Sequence, residues 1–194
     1  MEAQTKNNIA FGAFALACAC VISFFFPIHI LQEVHPAFVP APFVSATPAP
    51  RTQTMPDRIS IPSVHVDVAV RPGSYDFTTG QWDVSWDAAQ FATMTVTPNT
   101  VSGKTLLYAH NTKKLFGPIT RMKLGDEATV TASDGTVFHY VYAQEQVVGP
   151  SDTSILTNAE DGVPQLVLLT CAGVFNQHRN LLFFTLHSVE NVNS

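Results

Sequence analysis

The stretch that most restricts this chain is residues 165–186, QLVLLTCAGVFNQHRNLLFFTL, in which two apolar runs of strand length flank a short polar loop holding Gly173 and Asn176. That pattern predicts a β-hairpin. Cys171 closes the first run and Arg179 stands just before the second. Residues that flank a hairpin loop are neighbours across the ladder, so Cys171 and Arg179 should sit side by side at one rim. The pairing is chemically pointed, because a thiol is a weak nucleophile until its thiolate is favoured. A nearby guanidinium favours that anion, or stabilises an oxyanion formed by its attack. For an arbitrary pair the bland outcome, a buried small cysteine and a solvated loop arginine, is the commoner one. The rest of the chain reverses those odds.

Residues 9–26, IAFGAFALACACVISFFF, form an uncharged apolar run long enough to cross a bilayer as a helix. Lys6 is the only cation ahead of it, which favours a cytoplasmic N-terminus and an exported remainder. Cleavage as a signal peptide after Ala17 or Ala19 would leave residues 21–26 as an apolar new terminus, so an uncleaved anchor fits better. Cys18 and Cys20 then lie within the membrane span, and Cys171 is the only thiol of the exported part. Without a disulfide partner in an oxidising exterior, such a cysteine is either buried and inert or kept for its reactivity.

Residues 32–57 are rich in Pro and Ala and read as a semi-extended spacer. The predicted organisation is therefore an N-terminal stub and anchor over 1–31, a linker over 32–57, and a folded domain over 58–194. With a net charge of −5 and only 13% charged residues, the chain lacks the basic footprint that nucleic acid requires. Within the domain, Ile59 and Ile61 alternate with polar neighbours, and Val64, Val66, Val68 and Val70 continue the period-two pattern past Pro62, which predicts two strands. Residues 71–100 hold turn residues and both tryptophans, Trp82 and Trp86, and read as a long connection with at most a short helix or strand. TLLYA at 105–109 is a strand that ends at His110. Residues 115–122 suit a helical turn or two, Asp134-Gly135 predicts a hairpin between strands 128–132 and 136–146, and 150–164 is a polar connection with one helical turn. Seven or eight short strands and no long amphipathic helix predict an all-β barrel or sandwich.

A cysteine nucleophile needs a histidine, and five fall in the exported folded domain. His65, His139 and His187 lie inside strand patterns, where a structural imidazole is the usual outcome. His178 adjoins Arg179 but is more simply an exposed loop residue. His110 differs by ending an apolar strand, the same kind of rim position that Cys171 holds.

LLYAHN around His110, LLTC ending in Cys171, and Arg179 opening the last strand occur in the order His, Cys, Arg, and together the chain resembles a sortase, a membrane-anchored cysteine transpeptidase of bacterial surfaces. The resemblance extends to RISIPSVHVDVAV, FGPITRMKLGDEATV and VVGPSDTSIL, and so covers most of residues 58–189. It departs from the family's usual pattern at Val167 and Ala109, neither of which removes a catalytic atom.

The resemblance implies a closed eight-stranded β-barrel with His110, Cys171 and Arg179 in a groove at one rim. It implies cleavage of a Leu-Pro-x-Thr-Gly-like sorting motif on a secreted protein, and transfer of the acyl group to an amine of a peptidoglycan precursor or a pilin lysine. Cys171 is then the nucleophile, His110 the acid and base, and Arg179 the holder of the oxyanion or substrate backbone. Thr170 and Asn111 are candidate substrate contacts, and residues 150–164 a groove wall. No metal or other cofactor is needed. The short Cys171–Arg179 span suits housekeeping-like and pilin-polymerising branches, and the lack of a clear N-terminal lid favours general anchoring. Rival readings are a cysteine peptidase of the same fold and a tethered peptide-binding barrel. The Gly-Cys signature of L,D-transpeptidases is not matched by Leu169-Thr170-Cys171.

Overall fold

Alternation of β-branched and polar residues starts the fold. Strand β1 (Pro56–Ile61) turns Ile59 and Ile61 inward at 0% exposure while Arg58 stays exposed. In the computed structural model, which describes residues 54–191, this alternation is carried round a closed barrel. The barrel strands are β1, β2 (Val66–Gly73), β5 (Ala89–Ala92), β6 (Lys104–Tyr108), β7 (Glu127–Ala132), β8 (Thr136–Val148), β9 (Gln165–Ala172) and β10 (His178–Asn191). They close in the order β1-β2-β5-β6-β9-β10-β8-β7, and a separate two-stranded ribbon is formed by β3 (Tyr75–Asp76) and β4 (Gln81–Trp82). The eight-stranded all-β barrel expected from the resemblance is thus present. The apolar run at 9–26 and nearly all of the spacer lie outside the described residues. Among those described, no helix is long and apolar enough to cross a membrane.

Two buried clusters explain why β9 reads as an unbroken apolar run. Leu166 and Leu168 join the barrel interior with Ile59, Phe91, Leu107 and Phe184, whereas Val167 and Leu169 face an outer cluster with Leu106, Tyr108 and Leu181. The outer cluster is covered by Ile155 and Leu156 of the single-turn helix α1 (Ser154–Thr157). A strand buried on both faces has no polar positions left to alternate.

The two parallel pairings, β2 with β5 and β6 with β9, organise the rim. In the second, Tyr108 lies opposite Leu169. Extending that register places His110 beside Cys171, at the same end and on the same outward face as Tyr108 and Leu169.

Local departures from the sequence reading have local causes. The period-two pattern at Val64 is broken: residues 62–64 form a 3-10 turn led by Pro62, and His65 is left-handed at φ 58 rather than inside a strand. Pro62 fixes φ and lacks a ladder donor, which ends β1 there. Residues 117–121 also form a 3-10 helix, in the region expected to make a helical turn or two.

Candidate active site

The hairpin loop carries its two flanking residues as its register requires: Arg179 pairs with Cys171 across β9 and β10. With His110 in register on the other side of β9, three side chains form a row across adjacent strands, Arg179 on β10, Cys171 on β9 and His110 just beyond β6. All three line one cleft of about 260 Å³ together with Tyr108, Leu169 and Trp82. Cys171 is a free, half-buried thiol.

Each of the three is held by backbone groups nearby. The Arg179 guanidinium donates through one nitrogen to the carbonyls of Asn176 (2.9 Å) and His178 (3.0 Å), which curls the side chain back over its own loop. The Asn111 amide donates to the Cys171 carbonyl at 2.9 Å, fixing the cysteine's own peptide. The His110 carbonyl accepts from Thr112 and Phe116 N–H groups, so the backbone turns sharply after the histidine. His110 Nε2 is buried and has no hydrogen-bond partner among the described residues. Unpaired polar atoms in such places are costly.

Trp86 supplies a contact that sequence reasoning missed. Its indole stacks on the His110 imidazole with ring centroids 4.0 Å apart and planes 18° from parallel, although the tryptophan itself is 74% exposed. Its only signal in the sequence was a second tryptophan in a turn-rich segment. The ribbon before it is anchored by aromatic contacts, Tyr75 on Trp82 (4.8 Å) and Trp82 on Tyr108 (4.4 Å). The Tyr108 hydroxyl donates to the Asp83 carbonyl (2.7 Å), with the Ser74 carbonyl also in reach at 3.2 Å, and burial drives its pKa well above the ordinary phenol value. Gly73 is required at this crossing, because a Cβ there would overlap the Tyr108 hydroxyl. Beyond Trp86, Asp87 accepts from Ser85 and from both terminal nitrogens of Arg71 (3.1 and 2.9 Å), bonds that hold its carboxyl below the usual range.

The cleft itself is walled from the β3–β4 side. Among the residues lining the cleft with Cys171 and His110 are Gly80, Gln81, Trp82 and Val84, and none comes from 150–164. The latter segment is drawn away because Ile155 and Leu156 cover the outer cluster. Replacing Trp86 by alanine removes the stack, an interaction of about 1 kcal/mol. Trp86→Ala is therefore expected to lower stability by about 1 kcal/mol and Trp86→Phe to restore most of it, read by denaturant unfolding.

Thr170 takes a bracing place rather than a substrate contact. It is 0% exposed, and its hydroxyl donates to the Ala109 carbonyl at 3.0 Å, tying the strand of the cysteine to the residue before the histidine. Thr170→Val leaves that carbonyl unsatisfied and is expected to destabilise the domain by about 1–3 kcal/mol; Thr170→Ser retains most of the stability, as measured by denaturant unfolding. Asn111 is exposed but its amide is engaged with the Cys171 carbonyl. His178 is exposed and pairs with Ala172, one position out of phase with Cys171, so it lies on the opposite face. His139 is half-buried, 3.5 Å from Glu190, and His187 is exposed at a register shift of β10. Among the described residues no group of three His, Cys, Asp or Glu side chains could hold a metal ion.

Comparison with known proteins agrees with this fold. The family model described as the Sortase domain matches residues 59–187. None of the curated proteins matches the chain. Among solved structures, sortase C2 of pilus island 1 from Group B Streptococcus is similar at 23% identity and a TM-score of 0.56, over 68% of this chain and 73% of its own. Sortase C from Streptococcus pneumoniae gives 22% identity and 0.57, over 71% and 68%. Sortase A from Corynebacterium diphtheriae gives 21% and 0.56, over 71% and 63%.

Proposed function

The chain belongs to the sortase family of cysteine transpeptidases, and from that premise we propose that it cleaves a Leu-Pro-x-Thr-Gly-like sorting motif near the C-terminus of secreted proteins and joins the new acyl end to an amine. The observation that carries this reading is the row Arg179, Cys171, His110 facing one cleft, with His110 Nε2 unpartnered.

The residues perform the two half-reactions as follows. The Cys171 sulfur attacks the carbonyl carbon of the scissile peptide, and the C–N bond breaks as His110 protonates the departing amine. The thioacyl-enzyme is then resolved by an incoming amine that gives its proton back to His110. Arg179 holds the oxyanion or the adjoining substrate carbonyl, because the guanidinium nitrogens not committed to the Asn176 and His178 carbonyls remain for the cleft. Val174 (71% exposed) and Phe175 (90% exposed), on the loop between Cys171 and Arg179, offer apolar contact to the leucine and proline of the motif. The apolar run at 9–26 anchors the enzyme in the cell membrane with this domain outside, and the Pro/Ala spacer lets the cleft reach substrates emerging from the same membrane.

The test uses the full-length protein with a fluorogenic library of Leu-Pro-x-Thr-Gly variants, with and without oligoglycine. Cleavage together with an amine-ligated product is the expected result. Cleavage that yields only the hydrolysed acid with every amine offered makes the protein a peptidase. Inertness toward every motif, with Cys171 resisting thiol labelling until unfolding, makes it a binding barrel.

A further inference from the structure

We propose that the depression beside Asn111 is a subsite for a carboxylate carried by the amine acceptor, an inference that rests on the transpeptidase reading and names the charge of its second substrate. The chain has ten Lys and Arg residues and a net charge of −5, yet residues 111–125 contain Lys113, Lys114, Arg121 and Lys123 and no acid. Among the described residues none of these four cations makes an ion pair. Lys113 and Arg121 line a depression of about 420 Å³, with Asn111 and Thr120, over Gly117 and the buried Pro118. Its floor is closely packed: the Gly117 N–H donates to the Thr112 carbonyl at 2.9 Å, and a Cβ on Gly117 would lie 2.6 Å from that same oxygen.

Position gives the charge its meaning. Asn111 lines this depression and also donates to the Cys171 backbone carbonyl, so the depression begins one hydrogen bond from the cysteine's strand and one residue after His110. His110 is where an incoming amine must find its base. In the resolving step the amine nitrogen attacks the thioester carbonyl carbon. The C–N bond forms, the C–Sγ bond breaks, the thiolate returns to Cys171, and the amine proton passes to the His110 imidazole. An acceptor with a carboxylate a residue or two from its amine can place that carboxylate against Lys113 and Arg121 while the nitrogen meets the thioester. An acceptor whose amine is surrounded by further cations is repelled. Exposed charge pairs are individually weak and are screened over about 8 Å at physiological ionic strength, so the effect is a selectivity among acceptors that fades with salt.

The test compares triglycine, whose free carboxylate follows its amine, with triglycine amide as acceptors for the full-length protein, reading the ratio of aminolysis to hydrolysis. The acid is expected to outcompete the amide roughly fivefold at low salt. The ratio should fall toward one in Lys113→Glu/Arg121→Glu and in high salt. Because it is a ratio within each protein, a general loss of rate cancels. Independently, triglycine titrated into isotope-labelled Cys171→Ala protein should shift backbone resonances of residues 111–121, and triglycine amide should not. Equal use of acid and amide by the wild type, or a preference untouched by charge reversal, overturns the proposal. If no sorting peptide is cleaved at all, the transpeptidase reading falls by itself. The titration then decides the subsite: carboxylate-dependent shifts at 111–121 uphold an anion site, and their absence removes it.

Discussion

Cys171→Ala is expected to eliminate sorting-peptide cleavage, lowering the acylation rate by at least about 10⁴-fold, because no other nucleophile stands in the row. Among the described residues Cys171 is the free cysteine, and Thr170, the neighbouring hydroxyl, is 0% exposed and committed to the Ala109 carbonyl. Water held by His110 would have to act without the covalent intermediate. The same substitution should leave the fold nearly untouched, changing stability by less than ~1 kcal/mol, since it removes a single half-buried sulfur at a strand end. Paired measurement of single-turnover cleavage and denaturant unfolding separates the two effects. A variant that retains cleavage would remove the thiol from the chemistry. One that unfolds would identify Cys171 as a packing residue.

Arg179→Ala is expected to slow acylation by roughly 10²–10³-fold, the usual scale for losing a donor to a developing oxyanion. The effect should fall mainly on the rate constant at saturating peptide, with substrate affinity changed less. Lysine is a poor replacement here. The Arg179 guanidinium uses one nitrogen to satisfy the Asn176 and His178 carbonyls, and its remaining nitrogens are left for the cleft. A lysine ammonium is a single point and cannot hold the loop and reach the substrate with separate, rigidly spaced donors. Arg179→Lys should therefore recover at most about a tenth of the lost rate. Recovery to near the wild-type rate would show that positive charge alone suffices.

The parts of this protein that were legible in its sequence are those set by local chemistry. The β9–β10 hairpin, the Cys171–Arg179 pairing and the Asp134-Gly135 turn between β7 and β8 follow from period, turn residues and ladder geometry, and all three are present. The parallel pairing of β6 with β9 was not legible, because its partners are separated by most of the intervening chain and nothing local encodes the register. It is nevertheless what brings His110 beside Cys171. β5 escaped notice for a different reason: Ala89–Ala92 is short and buried at every position, so it shows no alternation. Trp86 was hidden because its partner, the His110 ring, is remote in sequence and its own exposure is high. The β3–β4 ribbon beside the cleft was not legible either: it is two residues per strand, and what fastens it is its contact with the remote Tyr108.

In the proposed reaction Cys171 forms a thioacyl bond to the substrate and an amine discharges it. Intact-mass spectrometry of the full-length protein, quenched during turnover of a Leu-Pro-x-Thr-Gly peptide, tests this most directly. The predicted result is a protein mass raised by the peptide's N-terminal acyl fragment, mapped to Cys171 and lost within one turnover when triglycine is added. Peptide turnover with no adduct under any quench, or an adduct on another residue, would contradict it.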